Sequence, residues 1–156
     1  MVVDDQPGGS FGFRLSFGPK DDRPPEWRPP IQYPLKRVPV LGEIFDSLSS
    51  SRWIFFSLAL RAERFTLECL AVYPDDMTPR EHSERASTAH WRWQAYDDVG
   101  NRYRLREMSS HSPESLRLAH AEWVFTPGLD ETAREVTLEL SLEGIDEHMR
   151  LVVPLA

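Results

Sequence analysis

One cysteine, Cys69, stands among 156 residues. A lone thiol forms no intrachain disulfide, and structural zinc held by thiolates needs several. Positive charge is scarce too: 18 Lys and Arg face 25 Asp and Glu, for a formal net charge of −7. Sequence-independent nucleic-acid binding rests on neutralising phosphates, so no nucleic-acid partner is expected. No apolar run approaches the ~18 residues of a transmembrane helix. The longest, Trp53 to Leu60, is strand-sized. The opening residues Met-Val-Val-Asp-Asp-Gln-Pro offer no basic n-region and no apolar h-region. A secretory signal is therefore not expected, and the expectation is a cytoplasmic protein without membrane association.

The stretch Ala89 to Arg106 carries the clearest pattern. It reads as two alternating strands around a tight turn. Asp97 sits at the first position of a type I turn and Gly100 at the fourth, where each is favoured. A three-residue loop, Asp98 to Gly100, belongs to the hairpin class with a glycine-supported bulge. That register sets Ala95 opposite Tyr103, Trp93 opposite Leu105 and Arg92 opposite Arg106. Trp91, Trp93, Ala95, Tyr103 and Leu105 share one face; Arg92, Gln94, Arg104 and Arg106 share the other. A slip of one residue would mix the faces.

Other segments follow the same period. Val38 to Phe45 reads as a Pro-interrupted edge strand. Trp53 to Leu60 reads as a core strand or one buried on both faces, and Phe65 to Tyr73 as its alternating successor. Asp75 to Thr88 and the Ser-rich Met108 to Glu114 read as loops. Ala121 to Phe125 turns Trp123 and Phe125 inward. Val136 to Leu142 and Met149 to Leu155 alternate cleanly, and a four-residue loop pairs Leu142 with Met149 and Glu143 with His148. Seven or eight short strands without long helices predict an all-β antiparallel sandwich over residues 38–156.

Residues 1–37 differ. Phe11, Phe13, Leu15 and Phe17 recur at period two. Five prolines between Asp21 and Pro34 exclude helix and sheet interior and favour an extended polyproline arm carrying Trp27, Ile31 and Tyr33. Solvated tails are poor in aromatics, so these seven residues are expected to bind a protein partner or a second copy. Strand addition and polyproline docking are the two modes that fit.

The chemistry-bearing residues form no enzyme signature. There is no Gly-x-Ser-x-Gly elbow, and Cys69 falls at an inward strand position. His82 and His90, His111 and His120, and His148 show no zinc spacing and read as surface residues, so no metal and no cofactor are expected. Asp75-Asp76 and Asp97-Asp98 read as turn chemistry rather than calcium ligands. Glu68, Glu139 and Glu143 read as solvent-facing. Arg92, Arg102, Arg104 and Arg106 form a possible face for an anion or acidic partner. Like charges opposite one another destabilise a sheet, so carboxylates from the Glu139 and Glu143 face are the favoured explanation.

The Trp-bearing hairpin closed by Asp-Asp-Val-Gly-Asn-Arg-Tyr, the Trp-Val-Phe-x-Pro strand and the terminal Glu-Val-Thr-Leu-Glu-Leu hairpin resemble immunoglobulin-like sandwich domains of bacterial proteins of unknown function. The resemblance implies the fold over residues 38–156 and little about activity, since such sandwiches host unrelated functions. The expected function is a non-enzymatic interaction module. The alternative is a small-ligand or carbohydrate-binding sandwich that uses Trp53, Trp91 or Trp93 as an exposed stacking platform.

Overall fold

The computed structural model describes residues 2–6, 10–16, 36–47, 50–88, 91–113, 116–143 and 146–155. The alternating segments become antiparallel strands: β1 (Val2–Gln6), β2 (Ser10–Ser16), β3 (Lys36–Asp46), β4 (Ser51–Leu60), β5 (Phe65–Val72), β6 (Trp91–Asp97), β7 (Arg102–Pro113), β8 (Leu118–Thr126), β9 (Glu135–Leu142) and β10 (His148–Pro154). One helix, α1 (Pro79–Thr88), interrupts them. Eight strands run in the order β10-β9-β6-β7-β8-β5-β4-β3, with β2 added on β7 and β1 on β2. The path nearly closes on itself. At that seam β3 approaches β10 so tightly that a Cβ on Gly42 would fall 2.2 Å from Leu151 Cδ2. Among the described residues no helix is long and apolar enough to cross a membrane.

Inward side chains of β4, β5 and β8 meet those of β6 and β9 across the interior. Trp53 and Trp123 are fully buried. Trp53 meets Trp91 edge-on at 5.0 Å, Phe55 meets Trp93 at 5.9 Å, and Trp93 meets Trp123 at 5.6 Å. Offset and edge-on ring pairs of this kind add about 0.5–1.5 kcal/mol each beyond the area they bury.

The turn at Asp97 forms as expected. The Gly100 amide donates to the Asp97 carbonyl at 3.4 Å, Gly100 adopts φ +95°, and Ala95 pairs with Tyr103. The hairpin is nevertheless only two rungs long, Tyr96 with Arg102 and Ala95 with Tyr103. Beyond that, β6 continues along β9, so Trp93 faces Leu140 and Arg92 faces Ser141. β7 runs instead beside β8, with a bulge between Leu105 and Glu107. The expected pairs Trp93 with Leu105 and Arg92 with Arg106 therefore do not form. The terminal hairpin is displaced by two residues from expectation: Met149 pairs with Leu140 and His148 with Ser141. A two-residue displacement preserves the inward face, which is why the pattern was satisfied by either register.

Two expected loops are ordered elements. The serines after Met108 continue β7 to Pro113, with Ser110 and Ser112 buried. The polar stretch after Asp75 contains α1, which starts with a capping box. The Glu81 amide donates to Thr78 Oγ1 at 3.2 Å, and the Thr78 amide donates to Glu81 Oε2 at 2.8 Å. Pro79 occupies the first helical position, where its missing N–H costs nothing.

The helix carries His82 into the core. Only 1% of this residue is exposed, a correction to its expected surface position. Its ring stacks on Tyr73 at 4.6 Å and lies 5.5 Å from Trp53. Burial lowers its pKa from 6.5 to about 4, with the nearby Asp46 charge opposing the shift. Because the folded pKa is depressed, stability is full above pH 6.5 and falls as the pH drops towards 4. The loss attributable to His82 approaches about 3 kcal/mol at the acid end. Urea denaturation between pH 7 and 5 is expected to show this slope in the native chain and to lose most of it in His82→Phe. An equal slope in both would refute the assignment.

Candidate functional site

The two outer faces of the sheet differ in character. The face of β6, β9 and β10 is polar and internally neutralised. Arg92 Nη2 donates to Glu143 Oε1 at 2.6 Å, Arg150 meets Glu139 at 3.3 Å, and the Tyr96 hydroxyl donates to Glu139 at 3.0 Å. Arg92, Glu139 and Arg150 line a shallow groove of about 350 Å³ that His148 and Gln94 complete. Glu143, in the turn that follows β9, is thus the carboxylate beside Arg92.

The outer face of β4, β5 and β8 is apolar at its centre. Ile54 pairs with Leu70, and Val72 with Leu118. Phe56, Leu70 and Leu118 are 38%, 36% and 37% exposed. Phe56 owes its outward position to a bulge. Between the rungs Phe55–Cys69 and Ser57–Glu68 it has no partner on β5, and the inward set moves from Trp53 and Phe55 to Leu58. Among the described residues, the apolar run from Trp53 to Leu60 is thus not covered on both faces.

Beside this band lies a cluster of polar groups. Glu68 pairs directly with Glu122, and His120 stands two residues along β8 on the same face. Their ligand-capable atoms lie within 4.8 Å of one another. Glu68 was expected to face solvent but is only 5% exposed. Its Oε2 accepts from Ser57 Oγ and from the Arg37 guanidinium. The bulge is what turns Ser57 to the same face as Glu68. The His120 ring lies 6.2 Å from that of Phe56.

The leader residues divide. Phe11, Phe13 and Leu15 lie on β2, in register with Ser112, Ser110 and Met108 of β7. Residues 10–16 thus add a strand to a sheet edge within their own chain, and Leu15 packs against the core. Phe17, Trp27, Ile31 and Tyr33 lie outside the described residues, as does His90. The arginines also part company. Arg102 pairs with Tyr96, Arg104 with Thr126, and Arg106 falls at the bulge of β7. Cys69 is buried as expected, and burial pushes its thiol pKa well up. Of the tryptophans weighed as a stacking platform, Trp53 is fully buried, while Trp91 and Trp93 are half-buried and pack on Trp123.

A perturbed acid pair sits at the hairpin turn. Asp97 accepts from the Tyr103 hydroxyl, from Asn101 Nδ2 at 2.9 Å, and from the amides of Val99 at 3.1 Å and Asn101 at 2.8 Å. Burial alone would raise the Asp97 pKa, but these hydrogen bonds hold it below the usual carboxylate range. Burial, then the bond to Asp97, pushes Tyr103 up to about 12. Each partner is committed to the turn, which gives the pair a structural task. Ultraviolet titration is expected to show Tyr103 ionising near 12, and Asp97→Asn to move it towards 10 with a stability loss of about 2 kcal/mol. An unchanged Tyr103 titration in that variant would contradict the bond.

Comparison with family models, with curated proteins and with solved structures finds no match to this chain.

Proposed function

We propose that the chain is a non-enzymatic assembly module that docks on a second copy of itself through the outer face of β4, β5 and β8. The observation that carries this reading is the asymmetry of the two outer faces. Polar pairs occupy most of one, beside an exposed Val152, while Ile54, Phe56, Leu70, Val72 and Leu118 form a contiguous apolar band on the other. Contiguous exposed apolar surface on a folded protein marks an interaction site.

The rim favours a second copy as the occupant. In a two-fold contact the same patch meets itself, so a rim of one sign would repel. Two ion pairs stand on that rim, Arg52 with Glu43 at 2.7 Å and Arg37 with Glu68, so it carries both signs of charge. Kinship with immunoglobulin-like sandwich domains of bacterial proteins belongs to the same reading. Its support is the packing of β4 and β8 against β6 through their aromatic rings. An extended Pro-rich arm bearing Phe17, Trp27, Ile31 and Tyr33 would add to the contact, on the strength of its composition.

Light scattering on the full chain at micromolar concentration is expected to give twice the chain mass. Phe56→Glu and Leu70→Glu are expected to give the single mass with unchanged circular dichroism. A monomeric native chain would overturn the reading, as would variants that still dimerise. A variant with Phe17, Trp27 and Tyr33 all changed to serine tests the arm: retention of full affinity would remove it from the contact.

A further inference from the structure

We propose that Glu68, His120 and Glu122 bind one divalent first-row transition ion, with zinc the best fit. Strand geometry supplies the arrangement. Residues two apart on a strand point to the same face, so His120 and Glu122 are neighbours without any special loop. Glu68 stands directly across the rung from Glu122. Three ligand-capable atoms come from two hydrogen-bonded strands and lie within 4.8 Å of one another. Tetrahedral zinc with bonds of 2.0–2.2 Å places its ligands about 3.4 Å apart. Small side-chain rotations close that difference while the backbone stays in register.

Two further observations set this cluster apart from a chance meeting of surface acids. The first is electrostatic. Glutamates directly opposite one another repel and destabilise a strand pair. Arg37 offsets one of the two charges, and a bound cation would offset the remainder. The second is the support of Glu68. It is 5% exposed, and Oε2 is held by Ser57 and Arg37. Hydrogen bonds that orient a ligating carboxylate from behind are a general feature of metal sites. His120 has an apolar wall on one side, the Phe56 ring at 6.2 Å.

The donor set selects the ion. One imidazole with two carboxylates suits zinc and its neighbours, whereas calcium and magnesium take oxygen ligands. Three protein ligands leave one tetrahedral position for water or for a group from outside. His111 lies across the rung from His120 on β7 and is the nearest histidine in the sheet register. The spacing of the histidines along the chain concealed the site, because two of the three ligands are carboxylates and one arrives from β5.

Isothermal titration of the full chain with zinc chloride at pH 7 is expected to show one saturable site, with magnesium chloride giving none. His120→Ala and Glu122→Gln are each expected to weaken it by roughly tenfold or more. His148→Ala, on the opposite outer face, is expected to leave it unchanged. Zinc is also expected to shift the His120 imidazole resonances in the native chain. The near-isosteric Glu122→Gln decides the matter should His120→Ala lose its fold. Absence of a saturable one-to-one site, or undiminished affinity in the folded variants, would overturn the proposal. The light-scattering result on the apolar band is read separately and can fail without touching this one.

Discussion

The aromatic cluster across the interior is the contact on which the rest of the structure depends. Trp53 and Trp123 come from one side of the curled sheet, Trp91 and Trp93 from the other, and their rings lie between 5.0 and 5.7 Å apart. The hairpin at Asp97 opens after two rungs. β6 stays with β9 along its whole length, which sets Trp91 and Trp93 opposite Trp53 and Trp123, while β7 stays with β8. The edge of β7 that β6 leaves is then taken by β2 from Glu107 onward. Unpaired strand edges invite association, and a strand from the leader blunts this one.

With the interior filled by tryptophan, phenylalanine and leucine, the outward apolar residues of β4, β5 and β8 add nothing to the core. Phe56 points outward because of one extra residue in β4. The same bulge turns Ser57 towards Glu68 and so helps hold a buried carboxylate on an open face. A single irregularity thus adds Phe56 to the apolar band and Ser57 to the polar cluster at its margin. Local twist and redirected side chains are what bulges supply near functional surfaces.

Period-two alternation made the strands after Lys36 legible, because each has one face on the core. Turn chemistry made Asp97 and Gly100 legible for the same local reason. Pairing partners were less accessible. Alternation cannot separate registers that differ by two, which is how Met149 came to face Leu140 rather than Leu142. Nor can it tell when a strand exchanges neighbours, as β7 does after Tyr103. The capping box Thr78-Pro-Arg-Glu81 was present as a helix signal but stood before a segment with no apolar stripe. His82, the residue that this helix buries, therefore read as surface. The ligand cluster was hidden for a topological reason: Glu68 and Glu122 are 54 positions apart and meet only because β5 and β8 pair.

The proposed meeting place of two copies is the band on β4, β5 and β8. Methyl-resolved NMR over a dilution series addresses that surface residue by residue. The methyl groups of Ile54, Leu70 and Leu118 should shift with concentration while those of Leu138 and Leu140, in the core, stay fixed. Shifts gathered instead on the β9–β10 face, or none at any concentration, would contradict it.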